Sequence, residues 1–193
     1  DEQVLLDDLA AAYQKAVKAF YAAGCRYLQL DDTSWGEFCS AEKRKAYAER
    51  GIDVDEIGRK YVYVLNKVLE AKPEDMTITM HIEPVAEILF GHCNVDGFFL
   101  EYDSDRAGGF EPLRYIGKQK VVLGLVTSKE AKLENKEDVI ARIHEAANYV
   151  PLEQLALSPQ CGFASTEEGN LVTDEDQWKK LALVKEIAEE VWN

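Results

Sequence analysis

Five short apolar segments alternate with amphipathic segments along the chain, and this alternation limits the folds that the chain can adopt. The predicted strands are RYLQLDD, MTITMH, GFFLEYD, KVVLGLVTSK and LALSPQCGF. Helices are predicted over residues 5–23, 52–71, 83–90, 136–149 and 174–191, with Gly24 closing the first and Thr173 capping the last. Strands that alternate with helices form a parallel sheet with both faces covered. The sequence therefore predicts an α/β fold.

Two α/β architectures agree with this pattern: a doubly wound sheet and a barrel of eight strand–helix units. No G-x-G-x-x-G follows the first predicted strand, so the pattern does not support a dinucleotide-binding sheet. A closed barrel needs eight strands. Because the chain supplies five, we expect a barrel of this kind to have about a third or more of its length outside the chain.

Composition excludes several classes of partner. Acidic residues outnumber basic ones by 36 to 22, for a net charge of −14, whereas nucleic acids and anionic membranes require a basic face. No apolar run approaches the roughly 18 residues of a membrane span, and DEQVLLDD lacks the basic start of a signal peptide. The four cysteines form no C-x-x-C pair. We therefore expect a cytoplasmic protein with reduced thiols.

Polar side chains follow the predicted strands at the ends where barrel enzymes carry their reactive groups. Among them, His81, Glu101 and Cys161 end three different strands. An imidazole, a carboxylate and a thiolate suit Zn²⁺ better than Mg²⁺ or Ca²⁺, which prefer oxygen ligands. The alternative interpretation is that these are polar strand-end residues with no metal.

Four motifs resemble the cobalamin-independent methionine synthases. LQLDD at 28–32, the strand-end His81, FFLEYD around Glu101 and SPQCGF at 158–163 occur in the order seen in that family. The likeness covers nearly the whole chain and is closer to the short, single-barrel relatives. It implies a (β/α)8 TIM barrel, of which residues 1–193 supply about the last five strand–helix units. This part would be the carboxyl-terminal portion of a single zinc-binding catalytic barrel.

The same resemblance implies roles for individual residues. His81, Glu101 and Cys161 match three of the family's four zinc ligands, but the expected cysteine two residues after His81 is Glu83. Glu83 could replace that thiolate chemically, since carboxylates bind zinc. We favour the hypothesis that a loop carrying the cysteine is omitted between Ile82 and Glu83, and an intact mass of 21.8 kDa would refute it.

The substrate residues also follow from the resemblance. Asp31 matches the acid that holds the amino group of homocysteine, with a helix cap or a surface acid as the alternative. Lys129 stands near the place where larger family members have a proton-donating histidine. We expect Lys129 to bind a substrate carboxylate or phosphate instead, with a solvated lysine as the alternative, and Arg106 is a similar case. The implied enzyme would use Zn²⁺ to move a methyl group from 5-methyltetrahydropteroyl-glutamate to homocysteine. Three alternatives remain: a zinc thiol alkyltransferase with another donor or thiol, a zinc-free uroporphyrinogen-decarboxylase-like barrel, and a non-catalytic barrel fragment.

Overall fold

The protein is an α/β chain whose five strands form one sheet. The computed structural model describes residues 1–32, 34–82, 87–103, 108–164, 167 and 169–193. The strands are β1 (Tyr27–Asp31), β2 (Thr77–Ile82), β3 (Gly97–Glu101), β4 (Lys120–Val126) and β5 (Leu155–Pro159). The helices are α1 (Glu2–Ala22), α2 (Ser34–Cys39), α3 (Ala41–Glu49), α4 (Val54–Leu69), α5 (Glu87–Phe90), α6 (Lys136–Ala146) and α7 (Asp174–Val191). All five predicted strands are present.

The strand order distinguishes between the two predicted architectures. The strands follow one another as β1-β2-β3-β4-β5, and the pairs β1–β2 and β4–β5 are parallel. A doubly wound sheet reverses its strand order at a switch point, whereas a barrel keeps neighbours in sequence order. The sequential order is therefore the order of a (β/α) barrel, of which these strands form a part.

The first compact unit comprises Asp1–Phe98 and Tyr115–Gln119. Asp1 caps α1 by accepting a hydrogen bond from the Gln3 amide, and Gly24 ends that helix at a φ of 98° that favours glycine. The helix predicted from residue 52 begins at Val54, because the Asp53 side chain accepts hydrogen bonds from two first-turn amides. The inner core of the unit comes from β2 and the helices around it, and includes Ile78, Met80, Ile82, Leu89 and Phe90.

The second unit comprises Phe99–Arg114 and Lys120–Asn193. Its core residues include Val121 and Leu123 of β4, Ile143 of α6 and Ile187 of α7, all fully buried. The predicted cap of α7 is confirmed: Thr173 and Asp176 form a reciprocal capping box. The unit therefore packs helices α6 and α7 against strands β4 and β5.

An apolar face of the first unit is open to solvent. Leu5, Leu9, Tyr13 and Phe20 of α1 are all exposed, and an open groove of about 680 Å³ runs between α1, α4 and β1. Contiguous apolar surface of this kind is typical of a face that other protein covers. Within the described ranges, no helix combines the length and apolar character needed to cross a membrane.

Candidate functional site

A carboxylate–imidazole pair lies at the carboxyl end of the first two strands. The parallel register of β1 and β2 places Asp31 opposite His81, and Asp31 Oδ1 lies 3.0 Å from His81 Nδ1. The His81 side chain is 17% exposed and that of Asp31 is 69% exposed. With its proton on Nδ1, the imidazole donates to Asp31 and keeps a lone pair on Nε2. Metal-binding histidines are commonly oriented in this way.

A second polar contact orients the carboxylate that ends β3. Gln160 Nε2 donates a hydrogen bond of 2.9 Å to Glu101 Oε2. The backbone of Gln160 is itself held, because its amide donates to the Val126 carbonyl at 2.8 Å and extends the β4–β5 pairing beyond the end of β5. Gln160 also precedes Cys161 in the chain. The side chain that orients Glu101 therefore comes from the same turn as the candidate thiol ligand.

The thiol of Cys161 lies beside a buried hydroxyl. Ser128 Oγ is 3.4 Å from Cys161 Sγ, and Ser128 is fully buried in the loop after β4. The Cys161 sulfur also lies 3.6 Å from the Gly162 carbonyl oxygen. Cys161 as a whole is half-buried. The loops after β4 and β5 together define its position.

The predicted substrate residues differ in their surroundings. Asp31 pairs with His81, whereas the neighbouring Asp32 accepts a hydrogen bond from the Ser34 amide at the start of α2. Lys129 is exposed in the loop after β4, and its amide donates to Thr127 Oγ1 at 3.2 Å. Glu83 and Arg106 lie outside the described residues.

The three predicted zinc ligands are divided between the two units. His81 belongs to the first, and Glu101 and Cys161 belong to the second. Each of these three residues has a polar side-chain partner that lies at the end of a strand or in a following loop. Across the described residues, no group of three or more His, Cys, Asp and Glu side chains is arranged to hold a metal ion.

Several supporting residues were not predicted from the sequence. Gln160 lies within the SPQCGF motif, so its position next to Cys161 was a usable signal. Asn170 donates from Nδ2 to the Ser128 and Phe163 carbonyls, and nothing in the local sequence indicates this role. These residues act through contacts between segments distant in sequence, which motif spacing does not reveal.

The sequential parallel sheet and its polar strand ends define the chain as part of a (β/α) barrel, and comparison with solved structures confirms this class. A Listeria monocytogenes protein provisionally assigned as a vitamin-B12-independent methionine synthase matches with a TM-score of 0.79 and 46% identity, covering 100% of this chain and 57% of that one. A B12-independent methionine synthase from Shewanella sp. W3-18-1, solved with selenomethionine, matches with a TM-score of 0.66 over 94% of this chain and 53% of that one. At 17% identity, the Shewanella match shows the fold alone.

The chain is also similar in sequence to curated proteins. The chain is 49% identical to the uncharacterized YxjH of Bacillus subtilis over 209 positions, which cover 100% of the chain and 55% of YxjH. The methionine synthase of Pyrococcus abyssi is 22% identical over 84% of the chain and 44% of its own length. The chain thus spans about half the length of the curated relatives it matches. No protein-family model matches it.

Proposed function

We propose that the chain is the carboxyl-terminal part of a zinc-dependent methyltransferase barrel that methylates the thiol of homocysteine to form methionine, with a folate-type methyl donor. The observation that carries this proposal is the contact between Asp31 and His81 at the ends of two parallel strands. A carboxylate held against an imidazole is the usual outer partner of a zinc-binding histidine. The similarity to methionine synthases supports the choice of reaction.

The donor set fits zinc by its chemistry. His81, Glu101 and Cys161 would hold the ion through nitrogen, oxygen and sulfur, all of which zinc accepts. Asp31 would orient the imidazole, and the Gln160 amide would hold the Glu101 carboxylate in place. Zinc, when bound, would lower the pKa of a substrate thiol so that it becomes the nucleophilic thiolate.

Two further side chains would hold the amino-acid substrate. Asp31 is largely exposed although Oδ1 contacts His81, so its carboxylate can also accept a substrate ammonium group. Lys129, exposed beyond β4, would bind a substrate carboxylate. Asp31 would in this way connect the orientation of a zinc ligand with recognition of the amino acid.

The fourth ligand would come from the segment that follows His81. We propose that a cysteine on a loop between Ile82 and Glu83 supplies it, with Glu83 as the alternative. The alignment with YxjH supports a loop, because its 209 positions exceed the 193 residues of the chain. YxjH therefore carries residues that have no counterpart here.

The rest of the barrel would cover the open apolar face of the first unit. The edge strand β1 and the groove between α1 and α4 offer a strand edge and apolar side chains to a further strand–helix unit. The relatives, which are nearly twice as long as the chain, support this arrangement. The catalytic barrel would then contain eight strands.

Metal analysis of the purified protein tests the proposal. We expect stoichiometric zinc in the parent protein, and loss of both zinc and homocysteine methylation in Cys161→Ser. Cys25→Ser is the matched control, since within the described part of the chain the Cys25 thiol donates to the Tyr27 carbonyl, and a serine hydroxyl can do the same. The control should keep zinc and activity.

The outcome also separates the alternatives. Cys161→Ser that keeps stoichiometric zinc would contradict the ligand assignment. Zinc-dependent methylation of another thiol, with homocysteine inert, would favour the related alkyltransferase. A zinc-free parent protein with no methyl transfer would favour the non-catalytic barrel.

A further inference from the structure

A buried ammonium group lies in the second unit. Lys180 of α7 is fully buried, and its Nζ donates to both Glu134 carboxylate oxygens at 3.0 and 3.1 Å and to the Lys132 carbonyl at 2.7 Å. Glu134 is itself only 19% exposed. An ion pair of this kind has a large desolvation cost, and replacing it with apolar residues is often neutral or stabilising. A contribution to folding stability is therefore not a sufficient reason for the Lys180–Glu134 ion pair.

Hydrogen bonds connect the Lys180–Glu134 ion pair to the turn after β4, which contacts the Cys161 thiol. Glu134 Oε1, which accepts from Lys180, also accepts a 2.9 Å hydrogen bond from the Thr127 amide just beyond β4. Thr127 Oγ1 in turn accepts from the Lys129 amide. These two bonds enclose Ser128 in a tight turn, and Ser128 Oγ lies 3.4 Å from Cys161 Sγ.

Asn170 also holds the turn that carries Ser128. Its Nδ2 donates to the Ser128 carbonyl and to the Phe163 carbonyl, at 2.5 Å each. One amide group thus joins the loop after β4, which carries Ser128, to the loop after β5, which carries Cys161. Asn170 and Lys180 stand shortly before and within α7, so a single helix region anchors both loops.

We propose that Lys180 and Asn170 are positioning residues for the Cys161 sulfur. Lys180 acts through Glu134 and Thr127 to set the turn that carries Ser128, and Asn170 closes that turn onto the Cys161 loop. Neither residue touches substrate. Their effect on metal affinity rests on the proposed zinc function, whereas their effect on the sulfur's position does not.

Two variants and one matched control test this inference. Lys180→Met removes the ammonium group but keeps an unbranched side chain. Asn170→Asp removes the side-chain N–H donors. It keeps Oδ1, which accepts a 2.7 Å hydrogen bond from the Leu171 amide. Lys136→Met is the control, because Lys136 also pairs with α7, through Glu186 and Glu190, and among the described residues it forms no bond with the Thr127 turn.

The first readout is the alkylation rate of Cys161 in the native, zinc-depleted protein, followed by mass spectrometry of the Cys161 peptide. Loosening of the loops lowers the cost of local opening, so we expect severalfold faster alkylation in Lys180→Met and Asn170→Asp. The second readout is zinc affinity, which should fall about tenfold or more, as for other partners of metal ligands. Lys136→Met should match the parent protein in both.

Circular dichroism at the assay temperature establishes that each variant is folded. If Lys180→Met does not fold, Asn170→Asp decides the question alone. Parent-like alkylation of Cys161 in the folded variants would overturn the proposal, and so would equal acceleration in Lys136→Met. If alkylation accelerates as expected but the parent protein binds no zinc, the positioning role stands and the proposed function fails.

Discussion

Gly124 of β4 is a position where the structure leaves no room for a side chain. A Cβ built there would lie 3.0 Å from Gln160 Cα, 3.0 Å from the Leu100 carbonyl oxygen and 3.3 Å from the Pro159 carbonyl oxygen. Ordinary contacts of a Cβ fall between 3.4 and 4 Å. All three neighbours are backbone atoms, which cannot rotate away as a flexible side chain would.

Gly124→Ala must therefore displace β3 or β5 by several tenths of an ångström. Overpacking of this kind lowers the free energy of unfolding by about 1–3 kcal/mol. For a chain of this size, a loss of about 2 kcal/mol lowers Tm by about 4–8 °C. Because the displaced backbone includes Gln160, whose amide orients Glu101, we also expect weaker zinc binding.

Differential scanning calorimetry of Gly124→Ala against Gly162→Ala measures the effect. Gly162 is the matched control, since a Cβ there would have no neighbour within 4 Å. The control should unfold within a degree or two of the parent protein. Equal Tm values for the two variants would refute the argument that β3, β4 and β5 meet tightly around Gly124.

Two further predictions concern a helix cap and a buried thiol. Thr173→Ala breaks the capping box of α7 and should lower the free energy of unfolding in urea by about 1 kcal/mol, while Thr173→Ser should restore it; unchanged stability in Thr173→Ala would contradict the capping role. Burial raises the pKa of the Cys93 thiol to about 11. Well below pH 9 the thiol is protonated in both the folded and the unfolded protein. Between about pH 9 and 11 the unfolded chain loses the thiol proton while the folded protein keeps it. The free energy of unfolding should therefore fall in that range by up to about 1.4 kcal/mol per pH unit. Urea titrations at several pH values should show a shallower decline of the free energy of unfolding in Cys93→Ala than in the parent protein. Parallel declines in the two proteins would exclude the Cys93 thiol as the cause.

The sequence predicted those strands and helix ends that are determined by residues close together in the chain. The strands were readable as apolar runs, and Gly24 and Thr173 marked helix ends because a left-handed φ and a side-chain cap each need particular residue types. Helix α3 was missed because it buries no residue and so carries no apolar periodicity. Helix α2 was missed because six residues are too few to show an apolar periodicity.

The strand-end positions of the candidate ligands were also predictable, because the apolar runs define where the strands end, whereas their role as ligands stays a prediction. Their supporting contacts were not predictable. Asp31 and His81 are 50 residues apart, and Glu101 and Gln160 are 59 apart. Such pairs depend on which strands become neighbours and in what register, and neither is encoded in a motif.

The sequence by itself determined the order of strands and helices, their approximate ends, and the types of side chain that follow each strand. These properties depend on local backbone preference and on the period of apolar residues. Only the tertiary structure decided that Lys180 would be buried against Glu134 and that Asn170 would join two loops beside Cys161. Helix α7 must first pack beside β5 before those polar groups can meet, and that packing depends on the whole unit.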